Sequence, residues 1–168
     1  PVVGSRGNKF FHVGVVGRLR ADKIPFPFIG ALRAWLPANR TRVVMHFIGR
    51  GLDDIHGRRT LDALRRVIGV RLHGDIPPGD MPETYRQLDC VLIPSGRDSV
   101  SYVALEAMAT GLPVVARSIE GLPDTLGDAG VLREHDTELL AAVTSLASDP
   151  VRCARLGQAG RARAEQLY

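Results

Sequence analysis

Short, nearly unbroken apolar runs, each closed by glycine, proline or aspartate, recur along this chain. They are Phe10 to Val16, Val43 to Ile48, Val70 to Leu72, Cys90 to Ile93, Pro113 to Ala116 and, more weakly, Gly130 to Leu132. A strand with one face in water alternates apolar and polar residues, whereas a strand covered on both faces reads as continuous apolarity. Between the runs lie residues with helical spacing: Phe28, Leu32, Trp35 and Leu36, then Leu61, Leu64 and Ile68, then Leu139, Leu140, Val143 and Leu146. Each set covers one side of a helix. Alternating strands and helices joined by right-handed crossovers give an α/β domain, Rossmann-like and doubly wound. Its mainly parallel sheet would have about six strands with helices on both faces. Aromatic residues make up only 5% of the chain, which favours helices packed on a buried sheet over a sandwich of aromatic-rich strands.

With 168 residues, the chain holds one such domain, 1–168, with no room for a second of similar size. Helix starts are marked by capping chemistry. Asp80 with Glu83 predicts a capping box, Asp149 before Pro150 predicts a capped start, and Asp136 is expected to cap the helix running toward Ser148.

The net charge is +4 and much of the excess is arginine. Such a surface suits phosphates or peripheral contact with an anionic membrane. Nucleic acid is not the expected partner, because there is no aromatic-interleaved basic stripe and no helix-turn-helix or zinc pattern. Cys90 and Cys153 have no short-spaced Cys or His partners, which points to free thiols in a reducing, cytoplasmic compartment and to no metal site. No apolar stretch approaches the roughly 18 residues of a membrane span. Starting at Pro1 without Met or a leader, the chain reads as a piece of something longer.

Doubly wound sheets bind ligands beyond the carboxyl ends of their strands. The loop after the first strand runs Gly17, Arg18, Leu19, Arg20, Ala21, Asp22, Lys23. Its Arg18 and Lys23 can converge on one diphosphate, the arginine as a planar fork and the lysine as a point charge. After the second strand, Gly49 and Gly51 permit close backbone approach. After the third, Ile76 can lie against a flat base. After the fourth, a polar loop containing Asp98, Ser99 and Val100 leads to a helix starting near Ser101 or Tyr102. The N-terminus of that helix offers N–H groups and a positive dipole end to phosphate or sugar oxygens. Glu106, one turn in, suits a ribose diol, and Asp98 suits sugar hydroxyls. Each loop alone also reads as an ordinary surface turn, and Glu106 as a solvated helix residue. What counts is that a parallel sheet brings all four loops to one rim.

The stretches VGVVGRLRADK, FIGRG, VRLHGDIPPGDMPETYRQLDCVLIPS, VALEAMATGLPVVA and GLPDTLGDAGVL, in this order, resemble the C-terminal, donor-binding domain of the glycosyl transferases group 1 family. These are retaining enzymes of the two-domain GT-B fold, including hexosyltransferases of cell-envelope and capsule polysaccharide biosynthesis. The resemblance implies a nucleoside-diphosphate sugar as donor substrate, no divalent metal or other cofactor, and an N-terminal acceptor-binding domain outside this chain. Arg18 and Lys23 match the pair that neutralises the donor diphosphate, and Glu106 matches the ribose-binding acid. Gly17, Gly49, Ile76 and Val103 fall at positions around the donor, with Gly49 and Ile76 beside the base. The segment Ser99, Val100, Ser101 stands where backbone N–H groups meet sugar and phosphate. There the chain departs from the usual pattern, a glutamate followed by Gly-Phe-Gly, and has Asp98 as its candidate catalytic acid. The isolated domain is expected to bind donor without transferring sugar. A nucleotide-binding scaffold that has lost transfer chemistry is the alternative.

Overall fold

The computed structural model describes residues 10–51, 55–97 and 101–167. Six strands form one sheet: β1 (Phe11–Val16), β2 (Val43–Ile48), β3 (Val70–Gly74), β4 (Cys90–Ile93), β5 (Val114–Arg117) and β6 (Val131–Arg133). All neighbours pair in parallel, in the order β3-β2-β1-β4-β5-β6. Seven helices surround it among the described residues: α1 (Phe26–Asn39), α2 (Ile55–Arg65), α3 (Met81–Arg86), α4 (Tyr102–Ala109), α5 (Leu122–Leu126), α6 (Asp136–Ala147) and α7 (Pro150–Leu167). This is the Rossmann-like doubly wound architecture that the apolar runs predict.

Alternate strand residues feed two cores. Val13 and Val15, Met45 and Phe47, and Cys90 and Leu92 face α1, α2 and α6 in one cluster. Ile48, Val91, Ile93, Val114 and Ala116 face α4 and α5 in the other, together with Tyr85 and Leu88 from the α3 region. Trp35 ties α1 to α6 by donating from Nε1 to the Thr144 hydroxyl at 3.2 Å. On the opposite face α7 crosses α4 closely enough that a Cβ on Gly157 would lie 2.1 Å from the Gly111 carbonyl oxygen.

Three expectations are corrected. Ile68 is not on the buried side of α2: that helix ends at Arg65, Val67 turns inward through a bond to the Leu64 carbonyl, and Ile68 is left 83% exposed. Asp80 closes a 3₁₀ turn (Pro78–Asp80) in helical conformation and makes no side-chain capping bond, so there is no capping box with Glu83. Asp136 is the first residue inside α6 rather than its cap; its carboxylate pairs with Arg117, while Glu138 accepts from the His135 N–H at 3.3 Å. Asp149 does cap α7, accepting from the Arg152 N–H at 2.9 Å. Both cysteines are free thiols. Burial pushes the Cys90 thiol well above its ordinary range and the Cys153 thiol up to about 11. No helix among the described residues is long and apolar enough to cross a membrane.

Candidate functional site

The strand order reverses between β1 and β4: the chain winds outward through β2 and β3, then returns to build β4, β5 and β6 on the other side of β1. The loops leaving two strands at such a switch point diverge and open a crevice beyond their carboxyl ends. By that rule the crevice of this sheet belongs between the loop after β1 and the start of α4.

The β1 loop is anchored from beneath by Leu19 and Ile24, both buried in the first core. Its polar residues stay at the rim. Arg18 is exposed, and Arg20 pairs with Asp22 at 3.4 Å. Two bonds lace this loop to the β4 loop: the Gly96 N–H donates to the Asp22 carbonyl at 3.0 Å, and Lys23 Nζ donates to the Arg97 carbonyl at 3.2 Å. Lys23 is thereby held at the mouth of the crevice.

Further bonds tie the neighbouring loops together. Gly17 N–H donates to Ile48 (2.9 Å), Leu19 N–H to Arg50 (2.6 Å) and Gly49 N–H to Gly74 (2.7 Å), each to the backbone carbonyl. The Arg50 and Asp75 side chains pair at 2.7 Å. Gly49 has a φ of 142°, and a Cβ there would lie 1.9 Å from the Gly17 carbonyl oxygen. Its glycine is therefore demanded by the crossing of the first two loops, whatever else approaches it. Ile76 is half-buried against the second core, as is Val103 on α4.

Ser101 is buried and caps α4, its Oγ accepting from the Ala104 N–H at 3.3 Å. The first turn of α4 presents its remaining N–H groups and the positive end of its dipole at the rim. Glu106 follows in the next turn of α4 and is exposed. Of the residues singled out in the sequence, Gly17, Arg18, Lys23, Gly49, Ile76 and Ser101 lie on loops that leave the carboxyl ends of the parallel strands, while Val103 and Glu106 lie in the first two turns of α4. Asp98, Ser99 and Val100 lie outside the described residues.

Two features escape sequence reasoning. The Tyr85 hydroxyl, buried on α3, donates to Glu106 Oε2 at 2.7 Å. The available signal was its spacing: Met81 and Tyr85, four apart, share one helix face, and a buried tyrosine there needs a partner that a phenylalanine would not. Burial first, then the bond to Glu106 and that carboxylate's charge, raise the Tyr85 pKa, so the phenol stays a donor. The other feature is a histidine ladder across β1, β2 and β3. His12 Nδ1 and His46 Nε2 are 2.9 Å apart, His46 Nδ1 and His73 Nε2 are 2.8 Å apart, and the ring centroids are spaced 5.1 Å. Burial, then His12, His73 and Arg71, lowers the His46 pKa to about 4, and burial with Arg71 lowers that of His73.

Strand order and the laced loops together define a Rossmann-like domain, a fold in which ligands bind at the switch point of the sheet. The sequence profile described as glycosyl transferases group 1 matches residues 11–149, and the chain belongs to that family. Among curated relatives, the D-inositol 3-phosphate glycosyltransferase of Corynebacterium efficiens is 40% identical over 158 residues, 87% of this chain and 37% of the relative. The protein of the same name from Segniliparus rotundus is 33% identical over 159 residues, 90% of this chain and 35% of the relative. The chain thus spans little more than a third of these relatives. Anabaena Alr3699/HepE, solved in complex with UDP-glucose, superposes with a TM-score of 0.79 at 24% identity, covering 93% of this chain and 44% of HepE. The C-terminal domain of the glycosyl transferase group 1 family protein LpcC from Francisella tularensis superposes with a TM-score of 0.78 at 24% identity. That match covers 94% of this chain and 86% of LpcC's domain. The fold is that of the C-terminal half of a GT-B glycosyltransferase.

Proposed function

We propose that this domain binds the nucleoside-diphosphate sugar donor of a retaining glycosyltransferase, which passes a hexose to a saccharide or lipid-linked acceptor. The observation that supports the reading is the lacing of the β1 loop, which carries Arg18 and Lys23, to the β4 loop that leads toward α4. Two cations and a helix N-terminus around one crevice suit a diphosphate. On this reading Arg18 and Lys23 neutralise the diphosphate and the charge that grows on it as the glycosidic bond breaks. Glu106 accepts from the ribose hydroxyls, and Gly49 and Ile76 lie beside the base. Asp98, with the backbone of Ser99, Val100 and Ser101, meets the sugar. Catalysis is then mainly electrostatic and needs no divalent metal. The acceptor is supplied by an N-terminal domain, so the isolated domain binds donor and does not transfer it. Exposed Arg58, Arg59 and Arg66 would serve peripheral contact with an anionic membrane. Relatives named as glycosyltransferases favour this enzyme over a scaffold without transfer chemistry.

The test is calorimetric titration of the purified chain with UDP, GDP and ADP, with and without magnesium. One of the three should bind in the absence of metal. Charge-assisted contacts contribute about 1.5–3 kcal/mol, so Arg18→Ala or Lys23→Ala should weaken binding by about tenfold or more. Unchanged affinity in both variants, or strict dependence on magnesium, would refute the assignment.

A further inference from the structure

Glu106 sits on an exposed turn of a short helix, where a glutamate side chain ordinarily samples several rotamers. Ordering such a side chain on binding costs conformational entropy. Here one of its oxygens is already held. The Tyr85 hydroxyl reaches Oε2 at 2.7 Å from a side chain that is itself almost wholly enclosed by the second core. Tyr85 belongs to α3, so its position depends on the segment that descends from Ile76 through the 3₁₀ turn to β4. The tyrosine therefore connects the loop assigned to the base with the acid assigned to the ribose. A carboxylate offers about four lone-pair directions, and one bond from Tyr85 leaves enough of them for two ribose hydroxyls.

We propose that Tyr85 is a positioning residue: it orients the Glu106 carboxylate toward the ribose and so sets the preference for ribonucleotide over deoxyribonucleotide donors. The inference rests on the reading of Glu106 as the ribose-binding acid. Tyr85 itself does not touch the ligand. It acts through Glu106, by fixing Oε2 so that Oε1 and the free face of Oε2 already point into the crevice before the diol arrives. Loss of the hydroxyl would leave the ring and its packing in place and release the carboxylate.

The experiment compares two ligands on four proteins. The ligands are the nucleoside diphosphate among UDP, GDP and ADP that binds best and its 2′,3′-dideoxy analogue. The proteins are the unaltered chain, Tyr85→Phe, Glu106→Ala and the double variant, each checked by thermal unfolding. Tyr85→Phe should weaken the ribonucleotide by about five- to tenfold while changing affinity for the dideoxy analogue by less than twofold. In the Glu106→Ala background, Tyr85→Phe should have no further effect on either ligand, as expected for two residues acting as one unit. Binding of the dideoxy analogue also reports that the variant site is folded. Equal losses for both ligands, or additive losses in the double variant, would overturn the inference and make the bond a tie between α3 and α4 only. If the unaltered chain binds none of the three diphosphates, the reading of the whole site fails, and the role of Tyr85 with it.

Discussion

Acidification should destabilise this domain through His46, and the histidine ladder sets how strongly. His46 is 8% exposed and its two ring nitrogens face His12 and His73. In a neutral ladder each junction holds one proton. Two adjacent rings cannot both be charged, because their junction would set N–H against N–H. Arg71 adds a further cation on the same side, and Asp89 is bound to the His12 backbone N–H at 2.7 Å. The native pKa of His46 is about 4, against an ordinary 6.5. The unfolded chain therefore takes up this proton as pH falls through 6.5, while the native state resists until about 4. Stability from this group is fully present above 6.5 and is lost between 6.5 and 4. At about 1.4 kcal/mol per tenfold of proton affinity, falling from pH 7.5 to 4.5 removes about 2–3 kcal/mol. His73, also lowered, acts in the same direction. Urea unfolding followed by circular dichroism at pH 7.5, 6.5, 5.5 and 4.5 measures the loss. The comparison is His46→Gln, which keeps a donor and an acceptor but does not titrate, and its curve should be flatter over this interval by about that amount. Identical pH dependence in the two proteins would refute the reasoning, since the loss would then come from other groups.

Gly157→Ala would place a methyl 2.1 Å from the Gly111 carbonyl oxygen and push α7 off α4; a loss of about 1–3 kcal/mol in urea unfolding is expected, and an unchanged midpoint would contradict it. Gly49→Ala meets the Gly17 carbonyl at 1.9 Å and carries a φ of 142° unsuited to alanine, so it should lower the thermal midpoint and weaken diphosphate binding together. Arg117 donates to the Pro94 and Glu134 carbonyls at 3.2 and 2.7 Å and pairs with Asp136, with only 17% of its side chain exposed. Arg117→Met should therefore cost about 1.5–3 kcal/mol, read by the same unfolding assay.

The strands were legible because both faces of the sheet are covered, which leaves a signature in any single run of residues. Even the weak run at Gly130 to Leu132 corresponds to β6, whose first residue, Val131, is buried. Helix ends were less legible because they depend on local turns. The inward turn of Val67 takes over the place that spacing assigns to Ile68, and the 3₁₀ turn before α3 holds Asp80 in a conformation that cannot cap. The cationic loop could be read because Arg18 and Lys23 directly follow a strand. The ladder and the Tyr85–Glu106 bond could not. His12, His46 and His73 meet only once strand register is known, with Gly14 opposite His46 and His46 opposite Arg71. Tyr85 and Glu106 come from helices on either side of β4.

The two halves of the candidate site differ in how they are supported, and this bears on where such a domain can vary. Arg18, Lys23, Gly49 and Ile76 stand on loops tied to one another by backbone bonds, and Glu106 is held from a buried tyrosine. Changing any of these supports disturbs several loops at once. The departures from the Glu and Gly-Phe-Gly pattern fall instead on Asp98, Ser99, Val100 and Ser101. That stretch is bounded by Gly96, bonded to the Asp22 carbonyl, and closed by Ser101 at the cap of α4. A cap at Ser101 even offsets what the missing glycine would have allowed, since serine is a good N-cap while glycine is a weaker one. The residues assigned to the nucleotide are thus held by bonds that cross between loops, and Ser101, assigned to the sugar, is held as the cap of α4.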